Sequence, residues 1–238
     1  MNRIIRIVSV ITTGAAVAAA AESVPEVILH QGFEETEEFS AFSPNGYTTI
    51  PVGRTGRWGV FGRDGVVINE LDAAVGERSA KIIRLEKGQY PLIGVSRTPA
   101  AGAMEAEVWF LREPQAAFTF RIGGFKEQKF VPAIAIFCTG NGEIQVYDEA
   151  SKRYLPSGVV TPAEEWTQLK FRFVNGKCRL IAGISGEEKD AGEFSVPSPA
   201  ELPLDRIECV AAPSPVGSGT SFDEITFTLL PENPEVRK

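Results

Sequence analysis

From Ser221 to Leu230 the apolar residues Ile225, Phe227 and Leu229 alternate with Thr226 and Thr228, directly after Phe222, Asp223 and Glu224. Alternation with period two marks a strand with one face in a core and the other in water. The same pattern recurs over Val27–Phe33, Trp58–Phe61, Val66–Asn69, Ser79–Leu85, Met104–Leu111, Ala117–Ile122 and Ala133–Cys138. It continues over Ile144–Tyr147, Thr167–Val174, Cys178–Ile184, Glu193–Val196 and Arg206–Ala211. Glycine and proline punctuate these runs. Asn175-Gly176 between FRFV and KCRL, and Asn141-Gly142 between AIAIFC and EIQVYD, are hairpin signals. Only Pro162–Trp166 has the composition of a helical turn, and residues Ser40 to Gly56 read as a long polar connection. About a dozen strands at this spacing predict an all-β protein, a sandwich or barrel built as one domain.

The first 21 residues carry a different pattern. Arg3 and Arg6 precede an apolar run from Ile7 to Ala20 that ends in small residues, as a cleaved signal peptide does. The run is shorter than the roughly 20 residues that span a bilayer. The expectation is therefore export, with a signal peptide over 1–21, a domain over 22–231 and a frayed tail over 232–238, and no transmembrane anchor. The chain has 24 basic and 31 acidic residues; without Arg3 and Arg6 the balance is 22 to 31, a net charge of −9. Such a surface repels phosphate backbones, which excludes nucleic acid as the expected partner. Cys138, Cys178 and Cys209 each fall in an apolar strand-like run. An odd set of three allows one disulfide with one free thiol, or three buried thiols, and its spacing matches no zinc site.

Several segments together resemble the exported bacterial jelly-roll domains of the concanavalin A-like lectin/glucanase (LamG-like) superfamily. Gly32-Phe33-Glu34-Glu35 is similar to the opening strand of such domains, followed by Trp58-Gly59 and by Gly76-Glu77-Arg78-Ser79-Ala80-Lys81-Ile82. Glu105–Phe110, Asn141–Ile144 and Glu165–Phe171 are similar to their central strands, and Phe222-Asp223-Glu224-Ile225 to their closing strand. The resemblance covers nearly the whole mature chain and implies a two-sheet antiparallel β-sandwich, a jelly roll, with paired chain ends. Members include glycan-binding modules, glycosidases and lyases, so the fold does not choose among functions. Such domains often hold a structural Ca²⁺ near the chain ends, where Glu34 and Asp223 are the carboxylates on offer; the alternative is a plain pair of acidic side chains.

The chemistry on the page is sparse. Glycosidases of this fold place two carboxylates on one strand face, about 5 Å apart in retaining enzymes. Glu105 and Glu107 have that spacing, but with Trp109 they form the face opposite Met104, Ala106, Val108 and Phe110, which reads as a solvated strand face. Asp223 and Glu224 are adjacent and point to opposite faces. The sole histidine, His30, is the one candidate base for a serine or cysteine nucleophile, and its place in an apolar strand reads as structural. No catalytic residue is assigned. Sugars are gripped by aromatic rings with planar polar groups beside them. Trp109, Arg121, Gln145 and Tyr147 are the candidates for such a platform, with Lys170 and Arg172 near in pattern, while Trp58 and Trp166 read as core or strand-entry residues. The expected function is a non-catalytic exported domain that binds a polysaccharide or a cell-surface protein. The alternatives are a glycan-active hydrolase or lyase, and a structural component of the envelope.

Overall fold

The computed structural model describes residues 24–34, 48–52, 56–61, 65–86, 90–97, 102–127, 129–197 and 201–231. The expected signal peptide over 1–21, the acidic stretch Glu35 to Glu38, most of the Ser40 to Gly56 connection and the expected tail over 232–238 lie outside the described residues. In chain order the strands are β1 (Glu26–Gln31), β2 (Thr48–Val52), β3 (Gly56–Phe61), β4 (Val66–Asn69), β5 (Ser79–Ile83), β6 (Leu92–Ser96), β7 (Met104–Arg112) and β8 (Phe118–Lys126). They are followed by β9 (Lys129–Cys138), β10 (Glu143–Asp148), β11 (Arg153–Val160), β12 (Thr167–Val174), β13 (Lys177–Ile184), β14 (Glu187–Ser195), β15 (Arg206–Ala211) and β16 (Gly219–Leu229).

Two antiparallel sheets of eight strands form a sandwich. Sheet A runs β14-β13-β12-β7-β16-β5-β4, and sheet B runs β11-β10-β9-β8-β15-β6-β3-β2. The eighth strand of sheet A is β1. It pairs with Ile225–Leu229 of β16, while β5 pairs with Gly219–Phe222 of the same strand. Both lie on the flank of β16 away from β7, so the closing strand is long enough to hold two partners end to end.

The alternation read from the sequence decides what faces inward. Met104, Ala106, Val108 and Phe110 of β7 are fully buried, as are Leu169 and Phe171 of β12, Phe118 and Ile122 of β8, and Ile225 and Phe227 of β16. Phenylalanine rings carry the contact between the layers. Phe118 of sheet B meets Phe110 edge-on at 4.8 Å and Phe222 at 5.2 Å, and Phe120 stacks on Phe171 at 5.2 Å with an interplanar angle of 20°. Edge-to-face and offset arrangements place the positive ring edge or the σ-frame against the negative face, adding to the gain from burial. Cys138, Cys178 and Cys209 are all buried and free, which selects three thiols over a disulfide. Burial raises the Cys138 thiol to about 11, so it is protonated and inert at neutral pH.

Asn175 and Gly176 have φ of 50° and 73° and join Val174 to its partner Lys177, the two-residue turn that the strand twist favours. Ser185-Gly186 (φ 52° and 82°) does the same between β13 and β14. The sequence pattern passed over β2, β6 and β11. The first and last contain Pro51 and Pro156, and both are edge strands, the places where a residue without an N–H is tolerated in a sheet. Pro162–Trp166 forms bends and no helical turn, with Glu164 at φ 59°.

The stacked pair across the sheets has a measurable weight. Phe171→Ala is expected to destabilise the protein by about 3–5 kcal/mol in urea unfolding. Val174→Ala on the same strand, at a 37% exposed position, is expected to change stability by no more than about 0.5 kcal/mol.

Candidate functional site

The four residues nominated as one platform are divided between two surfaces. Trp109 follows fully buried Val108 on β7 and so points away from the core on the outer face of sheet A. Arg121 of β8 and Gln145 and Tyr147 of β10 alternate with buried Phe120, Ile122, Ile144 and Val146, and therefore occupy the outer face of sheet B. The two outer faces are on opposite sides of the sandwich. The expectation of a single four-residue platform is thus corrected: each strand face was read properly, but the assignment of strands to sheets was not available from the alternation.

On the outer face of sheet B the register brings a compact array together. Tyr147 lies directly across from Tyr154 of β11, and the rings meet at 5.3 Å in an edge-to-face arrangement. Tyr154 also contacts Phe137 of β9 at 5.8 Å, and Phe137 is the cross-strand neighbour of Gln145. The Gln145 amide donates to Glu143 at 2.8 Å, which fixes its plane. The hairpin that presents the tyrosines is pinned at its turn by Asp148, which accepts the backbone N–H of Ser151 at 2.8 Å. Hydrogen bonding from Ser151 lowers the Asp148 pKa. Tyr154 is 38% exposed, and burial of the remainder raises its phenol pKa.

One strand further in, Arg121 of β8 is paired in register with Glu208 of β15. Arg121 Nη2 donates to Glu208 Oε2, and Arg206 Nε donates to Glu208 Oε1 at 2.7 Å. Arg206 also donates to Ser96 Oγ at 2.9 Å. The Arg121 guanidinium lies 5.5 Å from the centre of the Phe130 ring, and that of Arg206 lies 5.5 Å from Phe125. Glu208 and Arg206 are buried although they point away from the core, as is Ala135, so this face is recessed between its aromatic walls. Tyr154, Phe137 and Glu208 were missed by sequence reasoning. Tyr154 sits in a run broken by Pro156 and Gly158, which hides its strand. Glu208 was legible, because Ile207, Cys209 and Ala211 are the inward set of β15.

The outer face of sheet A is a lattice of charges. Glu107 faces Lys170 across the β7–β12 pair and accepts from the Gln168 amide. Burial raises the Glu107 pKa, and the Lys170 charge partly offsets it. Lys170 also donates to Glu188 at 3.1 Å, and Arg179 to Asp190 at 2.6 Å. Glu105 lies opposite Arg172, and Trp109 lies between Gln168 and Asp223.

Glu34 and Asp223 are brought to the same loop, residues 70–78 between β4 and β5. Asp223 Oδ2 accepts the N–H groups of Ala74 and Val75 at 2.9 and 3.2 Å, and its Oδ1 accepts that of Glu224 at 2.8 Å. Glu34 Oε1 accepts those of Glu77 and Arg78 at 2.9 and 3.0 Å. Its carboxylate also sits over Gly76, where φ is +75° and a Cβ would come within 2.2 Å of Oε1. The loop frames a shallow cleft of about 480 Å³ and is tied further by Trp166 Nε1, which donates to Asp72 at 3.0 Å. Asp223 and Glu224 form a bulge, with Glu224 at φ 48° and two ladder steps of β7 spanned by three of β16. Beyond it Glu224 accepts from His30 Nε2 at 2.8 Å. The donor set does not fit Ca²⁺. The bound oxygens already face N–H groups, whose positive ends repel a cation, and two carboxylates fall short of the six to eight oxygens required. Among the described residues no three His, Cys, Asp or Glu side chains gather as metal ligands.

Burial raises the Asp223 pKa to about 6 against three backbone hydrogen bonds that lower it. The folded value lies above the ordinary 3.8, so the folded state takes up the proton first as pH falls. The stabilising contribution is full below about pH 4 and is lost as pH rises through about 6. Asp205, also raised to about 6 by burial, shares this window. The informative quantity is therefore the stability difference between wild type and Asp223→Asn, measured by urea unfolding from pH 4 to 7. It is expected to shift against the wild type as pH rises; a difference independent of pH contradicts the assignment.

No protein-family model matches the sequence, and no curated protein sequence matches it. Solved structures do. A carbohydrate esterase, vb_24B_21, from the Shiga toxin-encoding bacteriophage phi24B is 15% identical with a TM-score of 0.52, over 87% of this chain and 99% of that one. The cellulose-induced protein Cip1 is 14% identical with a TM-score of 0.52, over 84% and 96%. The exoplasmic/lumenal domain of VIP36 in its Ca²⁺/Man3GlcNAc-bound form is 10% identical with a TM-score of 0.49, over 75% and 86%. Likeness at this identity speaks of architecture. The chain has a two-sheet antiparallel β-sandwich fold, the architecture it shares with these structures, as its alternating strand segments anticipate.

Proposed function

We propose that this chain is a non-catalytic, exported glycan-binding domain, and that the outer face of sheet B is its binding surface. The observation that carries the reading is the array of Tyr147, Tyr154 and Phe137, with Tyr154 5.3 Å from Tyr147 and 5.8 Å from Phe137, set beside the amide of Gln145 and the guanidinium of Arg121. Aromatic faces take up the C–H surface of a pyranose, and planar polar groups read its hydroxyls. The edge position of β11 leaves this array accessible along one margin of the sheet. The carboxylates of the same face argue for binding over turnover. Both oxygens of Glu208 are held by guanidiniums and Glu143 holds the Gln145 amide, so neither is placed as a free general acid or base. The fold shared with a carbohydrate esterase is compatible with a glycan ligand and does not select one. Among the described residues no helix is long and apolar enough to cross a membrane.

A glycan array and polysaccharide pull-down test the reading. Tyr154→Ala and Tyr147→Ala are each expected to weaken binding about tenfold, equivalent to ~1.4 kcal/mol. Trp109→Ala, on the opposite surface, is expected to leave affinity within about twofold, well under that 1.4 kcal/mol step. Loss of binding in the Trp109 variant with retention in both tyrosine variants would place the ligand on sheet A and overturn the proposal.

A further inference from the structure

Arg121 gives the platform a chemical preference. It is a cation in the middle of a recessed aromatic face, on a chain whose mature part carries nine more acidic than basic residues. Its one carboxylate partner is shared. Arg206 already holds Glu208 Oε1, and Arg121 reaches only Oε2, through the single nitrogen Nη2. A guanidinium has five N–H donors in a planar fork. The Nε of Arg121 is buried and out of a ligand's reach, but a third of the side chain remains open to solvent. Arg121 therefore keeps donors and charge beyond what Glu208 uses. The aromatic neighbours supply no compensating charge: Phe130 lies against the guanidinium, and the Tyr154 phenol is neutral at ordinary pH. Of the other carboxylates on these strands, Glu143 is engaged by Gln145 and Asp148 by the Ser151 N–H at the hairpin turn.

We propose that the outer face of sheet B selects carboxylated sugars, so that its ligand is a uronate-bearing glycan chain whose carboxylate pairs with Arg121 while a neighbouring ring stacks on Tyr147, Tyr154 or Phe137. This rests on the platform reading above and narrows it to a ligand class. The match is geometric as well as electrostatic, because the planar fork of arginine fits the two oxygens of a carboxylate. The recess strengthens the pair, since a charge partly shielded from water is less screened than one on an open surface. The rings favour a sugar over an acidic peptide, which has no apolar face for them to cover.

The test compares one oligosaccharide in two charge states. An oligogalacturonate and its methyl ester have the same backbone, so calorimetric titration of the full chain with each isolates the carboxylate. The acid is expected to bind at least about tenfold more tightly than the ester. Arg121→Gln, which keeps a planar amide and removes the charge, is expected to reduce affinity for the acid about tenfold and leave the ester within about twofold. The wild-type comparison stands even where the variant folds poorly. Equal affinity for acid and ester overturns the uronate preference and leaves the platform intact. Binding of neither form, together with none to neutral glucans, overturns both readings. Poly-glutamate bound as tightly as the oligogalacturonate overturns the glycan half of the proposal.

Discussion

The contact of Phe110, Phe118, Phe120, Phe171 and Phe222 between the sheets is the constraint on which the rest of this molecule depends. A strand has two faces, and a ring fixed in the dry layer decides the direction of every other side chain on that strand. With Phe120 stacked on Phe171, the next residue, Arg121, must leave the core on the far side of sheet B. With Phe110 against Phe118, the preceding residue, Trp109, must leave it on the far side of sheet A. A slip of one residue in either strand would bury Arg121 or Trp109 and expose a phenylalanine. The cost of that exchange, a buried charge and a lost ring contact, keeps the register single.

The same parity rule explains what could be read from the sequence. Which residues of β7, β8, β10, β12 and β16 face the core was visible, because each is a clean alternation closed by a turn. The pairing of the chain ends came from the family resemblance and not from alternation; it is present, with β1 antiparallel to the second half of β16. The sheet to which a strand belongs was not visible, since alternation is a local property and strand order depends on crossovers of unmarked length. That gap separates Trp109 from Arg121, Gln145 and Tyr147. The strands that were missed carry proline or glycine at a sheet edge or are interrupted within a short run, and such residues look like connection from the sequence alone. Tyr154 belongs to one of them, so the ring completing the aromatic array was hidden by Pro156 and Gly158.

At the chain ends, a bulge does the work that a separate element would do elsewhere. β16 has β5 along its first half and β1 along its second, and the step between them falls at Asp223 and Glu224. A bulge adds a residue and twist, which turns two adjacent side chains to different partners. Asp223 holds the loop over β4 and β5, and Glu224 reaches His30 across the ladder. Gly32 lies where a Cβ would come within 2.7 Å of the Glu224 carboxylate, and Gly76 where one would meet Glu34. The Gly-Phe-Glu and Asp-Glu-Ile segments are thus complementary halves of one clamp. The anchoring of backbone N–H groups accounts for these carboxylates without a metal.

The two outer faces differ in how far their side chains are already partnered, and the proposed binding surface rests on that difference. On sheet A charged and polar side chains satisfy one another: Lys170 with Glu188, Arg179 with Asp190, and Gln168 with Glu107. Exposed pairs of this kind add little stability, but they make a surface content with water, from which a ligand has no dry area to recover. On sheet B the outward residues beside the polar groups are rings, half-covered and rigid, with few rotatable bonds to immobilise on binding. In the proposed complex, water over an aromatic face would be released as a sugar covered it, and the fixed Gln145 amide and the Arg121 guanidinium would replace the hydrogen bonds that the sugar gave up. The difference between the faces lies in which already has its partners. Sheet A has found many of them within the chain, and sheet B, in the proposed reading, holds rings and donors that an outside partner would complete.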